Sequence, residues 1–269
     1  MTIIDKKRVN QNFSRGAKTY DNYAQVQKHM ADKLEIFVHG SKKKYNILEV
    51  GCGTGIFSVK ILKRFPNSKI DLLDISPAMV ETAKEKLGDS PNLNFIVEDV
   101  ENYNPEKKYD LIFSNATFQW IDDQKRLFNH LYSLLDYGGK IAFSTFGNKT
   151  YFELRESLST LDPELKYSQK FVKLDEIIEI VDKDYRVLVA DEDFFIENFE
   201  NVMDFLKAIK GIGSNSALSN KRNFTREKFR ALDKIYRDKF GDKNNINVTN
   251  HLIYIVLEKV KMLDKKSKW

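Results

Sequence analysis

Apolar residues recur along this chain in strand-length runs separated by amphipathic stretches, and their order predicts a repeating β-α alternation. Five runs read as strands: Ile47 to Val50, Lys69 to Asp74, Leu93 to Val97, Tyr109 to Asn115 and Lys140 to Phe146. Helical patterns over about 5–16 and 20–38 precede the first. The turn Asp136-Tyr137-Gly138-Gly139 reads as a helix stop before the fifth, with glycines free to take positive φ. A helix near 173–182, a sixth strand near 186–198 and a seventh near 247–259 complete the pattern. This alternation predicts an α/β fold, a seven-stranded, mostly parallel sheet with helices on both faces. A basic helical insertion separates the last two strands and is expected to form a lid over one sheet edge. The expected division is an N-terminal helical cap (1–44), an α/β core (45–200), the insertion (201–245), and a segment (246–269) that adds the last strand and a tail.

With 269 residues, 42% of them hydrophobic, the chain can bury a full core of this class. Its apolar runs are broken by charge well short of the roughly 20 residues a membrane span needs. The segment Met1-Thr2-Ile3-Ile4-Asp5-Lys6-Lys7-Arg8 has no apolar signal core, so a cytoplasmic protein is expected. A single cysteine, Cys52, excludes an internal disulfide, and His29, His39, His130 and His251 show no ligand spacing, so no metal is expected. Charge is unevenly spread. Residues 1–44 and 203–240 each carry ten basic and four acidic side chains, whereas residues 45–202 carry eighteen basic and twenty-eight acidic. An acidic body between two basic segments has a field that draws anionic partners to the flanks.

The chemistry concentrates at the strand ends. In Glu49-Val50-Gly51-Cys52-Gly53-Thr54-Gly55 three glycines alternate, which lets backbone approach a ligand closely. A dinucleotide loop of the G-x-G-x-x-G type would need a third glycine where Ile56 stands. Glu49 would repel a pyrophosphate but suits a cationic amino-acid moiety or sulfonium. The loop resembles motif I of class I S-adenosylmethionine methyltransferases, which have a Rossmann-like fold. Asp74, nineteen residues past Gly55, can accept hydrogen bonds from both ribose hydroxyls, and Asp99 matches the position that binds the adenine amino group. The resemblance thus implies S-adenosylmethionine as cofactor, with Glu49, Gly51, Gly53, Gly55, Asp74 and Ile75 in its site. Met79, Asp99, Val100, Asn115, Gln119 and Trp120 complete the expected set.

A fold of this kind does not name its acceptor. The segment Ser114-Asn115-Ala116-Thr117-Phe118-Gln119-Trp120 lacks the Asn/Asp-Pro-Pro-aromatic signature of amide and exocyclic-amine methylation, and no Pro-Cys pair is present for attack on a pyrimidine. Phe118 reads as a core aromatic. That segment, together with Phe13-Ser14-Arg15-Gly16-Ala17-Lys18-Thr19-Tyr20-Asp21 and Phe143-Ser144-Thr145-Phe146-Gly147, resembles the malonyl-acyl-carrier-protein O-methyltransferases of biotin synthesis. The resemblance continues through Phe152-Glu153-Leu154-Arg155, residues 205–215 and Val248-Thr249-Asn250-His251, and so covers nearly the whole chain. Gly16 departs from it, since family members usually carry alanine there.

The family implies methyl transfer to the free carboxylate of a malonyl thioester, an acceptor ionised at neutral pH that needs no general base. Cationic or hydroxyl donors are then expected at the acceptor, and Tyr20, Arg155 and Lys210 are the candidates. The carrier protein is a small acidic domain by class. The basic insertion (Lys207, Lys210, Lys221, Arg222, Arg226, Lys228, Arg230) and the cap (Lys6, Lys7, Arg8, Arg15, Lys18) are its expected dock. An RNA or tRNA methyltransferase using the same flanks stays open, although the basic helices lack interleaved aromatics for base stacking, so no nucleic acid is expected. A methyltransferase of a small free di- or tricarboxylate and a non-catalytic cofactor-binding regulator also fit the fold.

Overall fold

A computed structural model describes residues 4–38, 44–165, 169–213, 225–242 and 244–260. Three helices open the chain: α1 (Lys6–Gly16), α2 (Tyr20–Tyr23) and α3 (Gln25–Ile36). Asp5 caps α1 by accepting from the Arg8 backbone N–H at 3.0 Å. The single helix expected over 20–38 is broken at Ala24, which is buried and non-helical (φ −83°, ψ 41°). Asp21 explains the break. Its carboxylate accepts from Thr54 Oγ1 at 2.5 Å and Lys86 Nζ at 2.6 Å, tying α2 to the glycine loop while α3 turns its Val26, Met30 and Leu34 into the core.

The remaining elements are β1 (Asn46–Val50), α4 (Ile56–Arg64), β2 (Lys69–Asp74), α5 (Pro77–Leu87), β3 (Leu93–Val97), β4 (Tyr109–Asn115), α6 (Gln124–Leu134), β5 (Leu135–Phe146), α7 (Phe152–Leu161), α8 (Leu174–Val181), β6 (Tyr185–Phe199), α9 (Val202–Gly211), α10 (Arg226–Phe240) and β7 (Ile246–Lys259). They form one sheet in the order β3-β2-β1-β4-β5-β7-β6. The first five strands are parallel, and β7 runs antiparallel to β5 and β6. Chain order reverses between β1 and β4, which opens a crevice at their carboxyl ends. No described helix is long and apolar enough to cross a membrane.

The helix stop expected at 136–139 is not a turn between elements. β5 starts at Leu135, directly after α6, and the glycines lie within it where its pairing with β4 slips between Tyr109 and Leu111. Gly138 takes φ +75°, so the left-handed residue accommodates an irregular strand start.

One face of the sheet buries Leu127, Phe128 and Leu131 of α6 with Ile177 and Val181 of α8. The other buries α3 with Phe57 and Ile61 of α4 and Val80 of α5. A third cluster joins Leu154 and Leu158 of α7, Phe205 and Ile209 of α9, and Leu232 and Tyr236 of α10. The insertion therefore shares a core with α7. Glu153 reinforces it, accepting from the Thr249 hydroxyl and from the Thr249 N–H at 3.0 Å. His251 stacks on Phe194 (4.8 Å between centroids) and contacts Glu192 Oε1 at 2.7 Å. The Val248-Thr249-Asn250-His251 segment is thus a seam that holds the strand pair and α7 together.

Where α1 ends against α9, backbone meets backbone. A Cβ on Gly16 would lie 3.1 Å from the Gly211 carbonyl oxygen, and a Cβ on Gly211 would strike the Tyr23 ring. An alanine at position 16 would force the two helix ends apart by a few tenths of an ångström.

Asp71 is a carboxylate buried in the middle of β2, 2% exposed. It accepts from Tyr109 Oη at 2.5 Å and Tyr103 Oη at 3.2 Å, and pairs with Lys107 Nζ at 2.7 Å. Asp71→Ala removes the carboxylate that accepts from both tyrosine hydroxyls, leaving them only their 2.7 Å bond to each other. Urea denaturation should show a loss of about 2–3 kcal/mol, with Asp71→Asn losing less because an amide oxygen still accepts.

Candidate active site

The crevice at the carboxyl ends of β1, β2 and β4 is a cleft of about 740 Å³, part of it open to solvent. Gly51 and Gly53 form its floor with φ of +73° and +54°. A Cβ on Gly51 would collide with Thr117, whereas one on Gly53 would project into open space. The glycine at 53 therefore keeps clear the volume a ligand would occupy. Asp74 Oδ2 accepts from Gly53 N–H at 2.9 Å and Oδ1 from Ser76 N–H at 2.8 Å, which fixes the carboxylate at the lip of β2. Burial pushes the Asp74 carboxyl up, and the backbone N–H groups partly oppose it. Leu73, Ile75, Met79, Val100, Trp120 and Ile121 supply the apolar walls. Asp74 at the end of β2 and Asp99 just past β3 thus flank an apolar slot.

Helix α1 closes the cleft. Lys6, Val9 and Phe13, spaced along one face, line it. Lys6 Nζ bonds Asp99 at 2.6 Å and also pairs with Glu101; Asn10 Nδ2 donates to the Ile75 carbonyl at 2.9 Å; and Ser14 shares a 2.9 Å hydrogen bond with Ser76. The Phe13 ring meets Trp120 edge-on at 5.5 Å. Sequence reasoning placed Lys6 only in a docking surface. The 6, 9, 13 stripe was the available signal for its inward role.

A second, narrow cavity of about 370 Å³, part of it open to solvent, adjoins the cleft. Phe13, Tyr20, Ala116 and Trp120 line both, so these four residues form a shared wall. Gln27, Gln119, Tyr151, Gln169, Phe171 and Ile212 are among those completing the second cavity. Gln27 Oε1 is buried without a partner among the described residues. Two lining residues, Ala116 (φ +53°) and Tyr151 (φ +57°), are the non-glycine positions with positive φ among the described residues, a strain of the sort that gathers at functional sites. Burial first, then the charges of Asp74 and Asp21, hold the Tyr20 phenol above its usual range, so its hydroxyl stays protonated as a donor.

Several expected site residues stand elsewhere. Glu49 is 1% exposed and lies behind the glycine loop, accepting from Ser58 Oγ at 2.6 Å, so it does not line the cleft. Gly55 (φ +83°) turns the chain into α4 rather than facing the cleft. Gln119, expected in the cofactor wall, faces the second cavity, its amide held by the Ala116 carbonyl (2.6 Å) and Thr145 Oγ1 (3.2 Å). Asn115 does line the cleft, oriented by the Gln27 carbonyl at 3.0 Å and Ser144 Oγ at 2.6 Å. The Arg155 guanidinium binds the carbonyls of Asn148 (2.7 Å) and Thr150 and does not line the acceptor-side cavity. Lys210 is exposed on the outer side of the α1–α9 contact. Of the expected docking set, Lys207 pairs with Asp204 at 2.8 Å and Lys228 with Asp162 at 3.4 Å, Arg226 and Arg230 are exposed, and Lys221 and Arg222 lie outside the described residues. No metal-binding cluster occurs among the described residues.

Comparison with known proteins fits this geometry. Residues 47–139 match the methyltransferase-domain family. Malonyl-acyl-carrier-protein O-methyltransferase 1 of Ilyobacter polytropus is 92% identical over 268 residues, covering the whole of both chains. The chain belongs to the malonyl-acyl-carrier-protein O-methyltransferase family. The methyltransferase of that name from Acetivibrio thermocellus is 37% identical over 96% of this chain and 95% of its own. Among solved structures, the N-methyltransferase NodS of Bradyrhizobium japonicum, in complex with S-adenosyl-L-homocysteine, is 10% identical with a TM-score of 0.56, covering 94% of this methyltransferase and all of NodS. The YcgJ protein of Bacillus subtilis is 13% identical with a TM-score of 0.61, over 87% of this chain and 99% of that one. Those two likenesses concern the fold alone.

Burial pushes the Glu49 carboxyl up to about 8, and the nearby Asp74 charge adds to this while the Ser58 hydrogen bond opposes it. A carboxyl raised in the folded state stabilises fully below its unfolded value near 4.5 and loses that contribution as pH rises through about 8. In the cofactor-free methyltransferase, Glu49→Gln should keep the Ser58 bond and remove the titration. Its melting temperature should pull ahead of wild type between pH 5 and pH 8 and converge with it toward pH 4; a constant offset would contradict the shift.

Proposed function

We propose that this methyltransferase transfers the methyl group of S-adenosylmethionine to the free carboxylate of malonyl-acyl-carrier protein. The observation that carries the reading is the shared wall: Phe13, Tyr20, Ala116 and Trp120 bring together a cleft suited to a nucleoside and a compact cavity whose aromatic walls carry a few neutral polar groups. The 92% identity to a protein named for that reaction supports the choice of acceptor.

When bound, the cofactor would supply an electrophilic methyl to the carboxylate oxygen, the electrons of the carbon–sulfur bond staying on sulfur. The protein's part is to place the acceptor and exclude water. Malonyl carboxylate is ionised at neutral pH, so no base is needed. The acceptor-side cavity has no charged lining residue among those described; its donors are the Tyr20 and Tyr151 hydroxyls and the amides of Gln27, Gln119 and Gln169. Neutral donors orient a carboxylate without neutralising the charge that makes it nucleophilic. Asp74 and Asp99, with Glu98 at the rim, give the neighbouring cleft a negative field that suits a sulfonium cofactor. Phe13 and α1 cover the junction and keep water from screening the two charges.

Labelled S-adenosylmethionine tested against malonyl-acyl-carrier protein, malonyl-coenzyme A and bulk tRNA gives the direct test. Transfer to the carrier substrate is expected, and transfer to tRNA alone would overturn the reading. Asp74→Ala should weaken cofactor binding by about 1.5–3 kcal/mol in calorimetry, since it removes charge-assisted bonds to ribose. Tyr20→Phe should lower kcat with cofactor affinity retained, because it deletes a donor and keeps the ring.

Lys207 of α9 with Arg226 and Arg230 of α10 forms the carrier-protein dock in this reading. Reversing Lys207, Arg226 and Arg230 to Glu should raise KM for malonyl-acyl-carrier protein several-fold through slower association and change malonyl-coenzyme A turnover less. Added salt should slow the wild type on the carrier substrate and affect the triple variant little.

A further inference from the structure

The outer face of α1 carries a second feature that the methyl-transfer site does not use. Lys7, Arg8, Gln11 and Arg15 lie opposite the Lys6, Val9, Phe13 stripe, and with Lys210 they line a groove between α1 and the end of α9. Asn12, 7% exposed, lies at its base. Lys7, Arg8, Arg15 and Lys210 are exposed, and none is paired with a carboxylate among the described residues, whereas Lys6, Lys207 and Lys228 each are. The groove's acidic residue, Asp5, is turned to the start of α1, where it accepts from the Arg8 N–H. Four unneutralised cations with two amide side chains make a site for a small, multiply oxygenated anion.

Its position narrows that anion. Lys210 at the end of α9 is two residues from Ile212, which lines the acceptor-side cavity, and Arg15 is five residues from Tyr20 on the shared wall. Groove and cavity are thus separated by the end of a single helix, whose width is about 10–12 Å. We propose that the groove binds the phosphodiester of a phosphopantetheine arm, which runs over the end of α1 and delivers its thioester-linked acyl group to the cavity beneath. The assignment rests on the malonyl-thioester reading above. It adds that a phosphate some distance from the reacting carboxylate is recognised by the cap, whether the arm is carried by a protein or by coenzyme A.

The test compares malonyl-phosphopantetheine with phosphate-free malonyl-pantetheine, using wild type and an Arg8→Gln/Arg15→Gln/Lys210→Gln variant. Wild type should show the lower KM for the phosphorylated substrate. The variant should raise that KM about tenfold, leave the phosphate-free substrate unchanged, and retain cofactor affinity and melting temperature. Malonyl-acyl-carrier protein should lose in parallel with malonyl-phosphopantetheine. An equal loss on malonyl-pantetheine, a loss confined to the carrier protein, or no loss at all would each overturn the phosphate assignment. Calorimetry with unacylated phosphopantetheine and pantetheine supplies a readout that needs no turnover. If the phosphate discrimination appears there, and disappears in the variant, while no malonyl thioester is methylated, the groove stands and the acceptor reading falls. Methylation of both thioesters without discrimination leaves the acceptor reading and removes the groove.

Discussion

The tip of β2 holds the candidate site in register. Gly51 and Cys52 N–H both bond the Leu73 carbonyl, at 2.7 and 3.0 Å, and the next residue's carboxylate takes the Gly53 N–H on one oxygen and the Ser76 N–H on the other. Two strands and the start of α5 are therefore locked around one half-buried acid before any ligand arrives. The desolvation of Asp74 is the cost, visible in its raised carboxyl. A ribose would find an acceptor already oriented, with no loop left to order.

Much of this was readable in the sequence because the information lies along a strand. An acid at the end of an apolar run falls at the ligand edge of a parallel sheet, so Asp74, Asp99 and Asn115 could be placed by counting. The spans of the two final strands were legible as well, whereas the placing of β7 between β5 and β6 was not, since pairing order is set between segments far apart in the chain. Glu49, Gln119 and Arg155 were not, since where a side chain points depends on partners far along the chain: Ser58 for the first, Thr145 for the second, the carbonyls of residues 148 and 150 for the third. The break at Ala24 escaped for the same cause, because Thr54 and Lys86 draw Asp21 toward the loop. Lys6 was misplaced because charge was weighed by segment and not by helix face.

Viewed across α1, the electrostatics change sign over the width of one helix. On the inner side, acids past β3 engage Lys6 and leave the cleft negative; on the outer side basic residues are unopposed. The acceptor-side cavity is lined by aromatic residues with three amides and two tyrosines, and no charged residue among those described. A cationic ligand and an anionic one can then approach the same helix without competing for the same field. The net charge of +5 conceals this arrangement, since it averages an acidic core with basic flanks.

The glycine pair at the junction of cap and insertion carries a consequence for how this protein tolerates change. Because Gly16 and Gly211 touch through backbone, with no side chain to flex between them, the gap there cannot absorb a methyl group locally. A methyl group on Gly16 moves the two helix ends by a few tenths of an ångström, and with them the Phe13 and Ile212 surfaces that face the acceptor-side cavity, whereas one on Gly211 falls on the ring of Tyr23. The residue permitted at position 16 is thus set by backbone far along the chain, and the residue permitted at position 211 by a tyrosine of the cap.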